Sequence, residues 1–176
     1  MLYIVVLALA FVELILQITV LPVFSVATVF PNLILVTCVL LFVSLDFNFS
    51  FSFAFACGLV LDLFSRAPFG LITASLLLSL FIIRLFSEKY LSKHTFFSTL
   101  LLSLIATVVF SLFVNGVILL ASALTLIDFS PVISDTVLRD VPLLALWSLL
   151  LTLLLWRPFQ RLAPMVQYFQ HRAKNL

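Results

Sequence analysis

The chain contains six apolar runs, and most of its charged residues lie between these runs or after the last one. Ordinary soluble domains are about half apolar and about one quarter charged. Here 65% of the 176 residues are hydrophobic and only 9% are charged. A soluble fold of this size cannot hide so much apolar surface, whereas a lipid bilayer tolerates it. The sequence therefore predicts an all-α integral membrane protein, a bundle of about six transmembrane helices.

Six transmembrane spans are predicted from the apolar runs and the polar, proline or glycine residues that separate them. They cover residues 2–21, 31–45, 48–64, 71–86, 96–124 and 141–156. Six spans of about 20 residues use roughly 120 residues, so residues 1–176 form a single transmembrane helical domain that ends in a short basic tail, 157–176. The first run lacks a basic start and a cleavage site, so we expect it to be a retained span.

The distribution of Lys and Arg predicts the orientation of the spans. The segment 84–93, at the end of the fourth span and in the connection that follows it, holds three of these residues, and the C-terminal tail holds four. The opposite side holds two, Arg66 and Arg139. Because Lys and Arg are enriched in cytoplasmic segments of membrane proteins, both termini are predicted to be cytoplasmic.

Two carboxyl groups lie within predicted spans, where ionisable groups are costly and mark candidate functional sites. Glu13 lies near the centre of the first span and shares a helical face with Gln17. It either packs as a protonated or hydrogen-bonded group or faces a partner or ligand. Asp62 lies near the outer end of the third span. It either has a structural role, pairing with Arg66 one turn later, or belongs to a functional site.

Small and polar residues recur every four positions along two of the predicted spans. The ridge on the third span consists of Ser50, Ala54, Gly58 and Asp62. The ridge on the fifth span consists of Thr99, Ser103, Thr107, Ser111 and Asn115. Small residues allow close helix packing in lipid, and hydroxyl groups can hydrogen-bond there. The second ridge is either such a packing surface or the polar lining of a small cavity.

Signatures of catalysis, metal binding and nucleic-acid binding are missing from the sequence. His94 and His171 lie outside the predicted spans, so neither is placed as a base for an intramembrane nucleophile. Cys38 and Cys57 lie within apolar runs and are interpreted as small buried hydrophobes. Lys and Arg are scattered singly, unlike a nucleic-acid-binding surface. We therefore expect no enzymatic activity, no catalytic residues, no cofactor, no metal site and no nucleic-acid partner.

The stretch GLVLDLFSRAPFGL, residues 58–71, resembles the signature of the MreD family of bacterial rod-shape-determining membrane proteins. That signature has a Gly, an Asp-Leu pair, and then a Pro, a hydrophobe and a Gly. The segment QITVLP at residues 17–22 and the Pro31-Asn32 pair agree with the family, as do the chain length and six spans. Beyond about residue 95 the resemblance is one of hydropathy only. The recurring family positions correspond to Gln17, Pro22, Pro31, Asn32, Gly58, Asp62, Pro68 and Gly70.

The resemblance implies a non-enzymatic scaffold of the bacterial cytoplasmic membrane in the machinery that builds lateral-wall peptidoglycan. The implied partners are MreC, bound through its membrane helix, a RodA-type glycosyltransferase with a class B penicillin-binding transpeptidase, and indirectly the actin-like MreB. The family also resembles the six-helix membrane substrate-binding component of energy-coupling-factor transporters. A small-molecule-binding component of a vitamin-type transporter is therefore the alternative function.

The recurring residues are expected to shape the outer half of the bundle. Proline and glycine would fix helix ends there, and a polar cluster of Gln17, Asn32 and Asp62 would lie beside a groove for a partner's transmembrane helix. The predicted partner-binding or structural residues are Gln17, Asn32, Gly58, Asp62, Pro68 and Gly70, with Glu13 as a separate intramembrane polar site.

Overall fold

The computed structural model describes residues 10–20, 32–45, 47–65, 68–90, 96–123, 141–157 and 159–160. Helix α1 is described from residue 10 and ends in a π-helical turn, Leu16–Val20. The remaining helices are α2, Leu33–Ser44; α3, Phe47–Phe64; α4, Leu71–Tyr90; α5, Phe96–Ala123; and α6, Val141–Arg157. The prediction of an all-α fold is confirmed for the described residues. The predicted tail after residue 160, like Pro22, Pro31 and Arg66, lies outside them.

Two of the described helices are long and apolar enough to cross a membrane, Phe47–Phe64 in α3 and Phe96–Leu120 in α5. The other four apolar segments are shorter. At 1.5 Å per residue, the 12 residues of α2 extend about 18 Å, less than the roughly 30 Å of a bilayer's hydrocarbon core. The arrangement of six complete spans therefore remains a prediction.

Helix α2 lies at the centre of the described structure. Every residue from Leu33 to Val43 is buried, and α2 contacts α3, α4 and α5. A helix that is apolar on all sides is stable only when other elements surround it. The core around α2 includes Phe53 of α3, Leu80 of α4 and Leu102 of α5.

Aromatic contacts hold together the end of α2, the start of α3 and the C-terminal half of α4. The ring of Phe47 packs edge-on against Phe42, with 6.1 Å between ring centroids. The guanidinium carbon of Arg84 lies 4.5 Å from the centroid of the Phe47 ring, a cation–π contact. Nearby, the Ser50 hydroxyl donates a hydrogen bond of 2.6 Å to the carbonyl oxygen of Cys38. These contacts make α2 and α3 an antiparallel pair joined by a very short connection.

Helices α3 and α4 approach each other closely at Gly58. A Cβ atom at this position would lie 2.9 Å from the Cα atom of Thr73 and 3.0 Å from its Oγ1. Because Thr73 Cα is a backbone atom, the conflict could be relieved only by separating the helices. The ridge predicted on the third span, from Ser50 to Asp62, lies on the buried face of α3. Gly58, the smallest residue of this ridge, lies at the contact between α3 and α4.

We predict that Gly58→Ala lowers the thermal stability of the protein, because overpacking of a close contact costs about 1–3 kcal/mol. Gly116→Ala is the matched control, since a Cβ atom there meets nothing within 4 Å and alanine favours a helix by about 1 kcal/mol. Thermal unfolding in a mild detergent measures both variants. Equal Tm values for the two variants would contradict the close approach at Gly58.

Candidate functional site

The carboxylate of Asp62 forms the centre of the junction between α3 and α4. It lies in the last turn of α3 and is only 3% exposed. Its Oδ1 accepts a hydrogen bond from the backbone N–H of Ile72 at 2.9 Å. Its Oδ2 accepts one from the N–H of Thr73 at 3.0 Å and another from the Thr73 hydroxyl at 2.5 Å. Three donors from the first turn of α4 therefore converge on one side chain of α3.

This geometry satisfies the N–H groups that the start of any helix leaves without partners. The N–H of Leu71 donates to the carbonyl of Pro68 at 3.1 Å, and that of Ala74 donates to the carbonyl of Gly70 at 2.9 Å. Asp62 accepts from the two N–H groups between them. A helix N-terminus carries a partial positive charge, so a carboxylate is the favoured acceptor there. Asp62 is therefore a helix cap supplied by the preceding helix.

Pro68 and Gly70 form the turn that brings the start of α4 within hydrogen-bonding distance of Asp62. Gly70 has a φ angle of +90°, a conformation that side chains with a Cβ atom rarely adopt. Pro68 supplies the carbonyl that receives the first N–H of α4. Gly58 lies one turn before Asp62 on the same face of α3, against the same Thr73. The four signature residues of this stretch thus build one helix junction.

A second junction of the same kind lies at the start of α2. Asn32 is the N-terminal cap of α2, and its Oδ1 accepts the N–H of Leu35 at 3.0 Å. Gln17, in the π-helical turn of α1, accepts the N–H of Leu33 through Oε1 at 2.9 Å. Gln17 therefore accepts an N–H group at the start of α2, just as Asp62 does at the start of α4. In both places a side chain of one helix closes the first turn of the next.

The residues predicted as one outer cluster fall into these two junctions. The contacts of Cys38 with Ser50 and of Phe42 with Phe47 set the antiparallel register of α2 and α3. In that register Asn32 lies level with residues near Cys57, so Asp62 lies about 8 Å farther along the helix axis. The structure brings Gln17 to Asn32, and Gly58 to Asp62. The predicted Asp62–Arg66 pair involves a residue outside the described ranges.

Glu13 lies apart from both junctions, on the side of α1 that faces α2. It is 7% exposed and lies beside Thr37, which is fully buried. The contact falls short of a hydrogen bond, because Glu13 Oε2 and Thr37 Oγ1 are both buried without a partner. The free thiols of Cys38 and Cys57 are also buried near Glu13. Glu13, Cys38 and Cys57 therefore form a group of titratable side chains that is separate from the two helix junctions.

The polar ridge on α5 satisfies its hydrogen bonds largely within its own helix. The Thr107 hydroxyl donates to the carbonyl of Ser103 at 2.8 Å, and the Asn115 amide donates to the carbonyl of Ser111 at 2.8 Å. On the adjoining α4, Ser79 bonds the carbonyl of Ser75 in the same way, at 2.7 Å. Buried side chains that bond their own helix need no water or ligand, so the ridge is better suited to packing than to lining a cavity.

Sequence reasoning missed two of the residues that matter most, Thr73 and Thr37. Each is defined by the partner it meets on another helix, which leaves no periodic signal in the sequence. The pair Ser75 and Ser79, by contrast, has the four-residue spacing that identified the other ridges. Both of these serines are fully buried.

The described residues define an all-helical protein with two helices long and apolar enough to cross a membrane. The part of the chain with assigned positions contains no group of three or more His, Cys, Asp or Glu side chains arranged to hold a metal ion. No protein-family model, curated protein or solved structure matches the chain.

We predict that Asp62→Ala destabilises the protein by at least about 2 kcal/mol, because it leaves two buried N–H groups without an acceptor. Thr73→Val is the matched comparison. It removes only the hydroxyl donor and should cost about 1 kcal/mol. Unfolding titrations of both variants in mixed detergent micelles give the two free energies. An Asp62→Ala variant as stable as Thr73→Val would show that the carboxylate does not support the start of α4.

Proposed function

We propose that this protein is a non-enzymatic scaffold of the bacterial cytoplasmic membrane, similar to MreD, that binds MreC and helps organise the cell-elongation synthase. The observation that carries the proposal is the structural use of the signature residues. Gly58, Asp62, Pro68 and Gly70 make the contacts that set α4 against α3. The hydrogen bonds of Asp62 and the turn at Pro68 and Gly70 hold α3 and α4 in place, as a scaffold protein requires.

The surface of the described helices supports a location within a bilayer. Large apolar side chains are exposed on α1 and on α3 to α6, in numbers that water would penalise heavily. Phe97 is 75% exposed, and many further residues behave alike, among them Phe11, Phe55, Leu63, Phe81, Leu112 and Leu154. Lipid acyl chains would cover these groups at no such penalty. The bilayer is therefore the first partner we propose.

The short helix α2 is compatible with six spans because protein surrounds it. A mismatch between helix length and bilayer thickness is costly where the helix contacts lipid. The residues Leu33–Val43 are all buried against other helices, so α2 does not need to match the thickness of the hydrocarbon core. The longer helices α3 and α5 would contact the lipid and define the depth of the bundle.

The proposed partners follow from the family resemblance together with this architecture. MreC would bind through its membrane helix against the bundle. The RodA-type glycosyltransferase and the class B penicillin-binding transpeptidase would assemble with that pair, and MreB would be linked indirectly. A helix bundle whose junctions are closed by hydrogen bonds between helices provides a stiff surface for such an assembly.

We expect the tagged protein, purified from its native host in a mild detergent, to carry MreC and the elongation synthase as stoichiometric companions. Mass spectrometry identifies them. Gly58→Leu should lose these companions while still inserting into the membrane, because it separates α3 from α4. Gly116→Leu, at an open position, should retain them. Recovery of an ATP-driven transporter module in place of MreC would overturn the scaffold and support the vitamin-type carrier.

The proposed topology places both termini and the connection between α4 and α5 in the cytoplasm. Green fluorescent protein fused to either terminus should therefore fluoresce, and alkaline phosphatase fused there should be inactive. Alkaline phosphatase inserted within residues 124–140 should be active, because that connection would lie outside the cytoplasm. Termini that report opposite sides would exclude an even number of spans.

A further inference from the structure

The structure contains two deeply buried carboxyl groups whose surroundings differ completely. Asp62 receives three hydrogen bonds from the start of α4, two from backbone N–H groups and one from a hydroxyl. These donors compensate a negative charge on its oxygens. Glu13 is buried to a similar degree, but its Oε2 receives no hydrogen bond. The carboxyl group of Asp62 therefore lies among donors that stabilise a negative charge, whereas that of Glu13 does not.

The described neighbours of Glu13 include no cation that would balance a negative charge. From α2 it is faced by Thr37 and by the thiol of Cys38, and from α3 by the thiol of Cys57. Among the described residues, these thiols are the titratable groups that face it, and neither is a cation. Burying an unpaired carboxylate in apolar surroundings is far more costly than burying a neutral carboxylic acid. The Thr37 hydroxyl beside it also lacks a partner.

We propose that Glu13 is a proton-binding site inside the bundle, whose neutral carboxylic acid forms a hydrogen bond with Thr37 and fastens α1 to α2. With the proton bound, the two unsatisfied oxygen atoms can form one hydrogen-bonded pair that buries no charge. The position is too poor in oxygen for a hard metal cation, which requires about six oxygen ligands. A proton needs no cavity, and Thr37 and Cys38, which face Glu13 from α2, are fully buried.

The position of Glu13 on α1 gives this proton a structural consequence. Among residues 10–19 of α1, those that are not exposed are Ala10, Glu13, Leu14 and Gln17, a narrow strip with the spacing of one helical face. Two of these four are polar, and Gln17 already bonds to Leu33. In lipid, helices associate through packing and hydrogen bonds. The Glu13–Thr37 pair is therefore a second polar attachment of the described part of α1, and the bound proton lets it form without burying a charge.

Infrared difference spectroscopy tests the site directly. The purified full chain is measured at neutral pH in a detergent without ester groups, and the spectrum of Glu13→Gln is subtracted from that of the wild type. Glutamine has the same shape and cannot ionise, so the variant retains the packing. The expected difference is the carbonyl stretching band of one protonated carboxylic acid. Carboxylate stretching bands in its place would overturn the proposal.

The hydrogen bond to Thr37 has its own readout in the same measurement. Thr37→Val removes the hydroxyl while keeping a branched side chain of similar size. The carboxylic-acid band should then move to higher wavenumber, because the carbonyl loses a hydrogen-bonded partner. A band at the wild-type position would show that Thr37 does not hold the acid. Neither result depends on which protein binds the bundle, so this test and the purification experiment can fail separately.

Discussion

The hydrogen bonds between Asp62 and the first turn of α4 are the interaction on which the described architecture most depends. Without them the N-terminus of a 20-residue helix would present unpaired N–H groups in a setting where water is scarce. The same contact brings Gly58 against Thr73 and so sets the distance between α3 and α4. Helix α4 in turn packs along α5, so the start of α4 that Asp62 caps belongs to a helix in contact with both α3 and α5.

The polar side chains of this structure make two kinds of hydrogen bond, within one helix and between helices. Several hydroxyl groups of α4, α5 and α6 bond to carbonyls of their own helices, as those of Ser75, Thr107 and Thr152 do. Side chains with longer reach or a carboxylate, such as Gln17 and Asp62, bond instead to the start of another helix. The first group permits close packing without a partner, and the second determines which helices are neighbours. Both uses suit an apolar environment, where a polar group without an internal partner is costly.

Much of the fold could be predicted because the apolar runs are long and their boundaries are marked by proline, glycine and charge. The all-helical class follows from that pattern, as does the buried face of α3, since Ser50, Ala54, Gly58 and Asp62 repeat at a helical interval. The partners of the polar residues could not be predicted in the same way. Nothing in the spacing of Asp62 points to Thr73, and nothing near Glu13 points to Thr37, because each pair joins different helices. The two junctions therefore had to be seen in three dimensions.

In both junctions the capping side chain comes earlier in the chain than the helix it completes. Gln17 precedes α2, and Asp62 precedes α4. During synthesis the chain emerges from its N-terminus, and the early segments can take up structure first. Each acceptor is consequently already present when the N–H groups that need it appear. The order of residues along the chain lets these helix starts be completed without waiting for any later segment, which shortens the time for which unpaired backbone is open to wrong contacts.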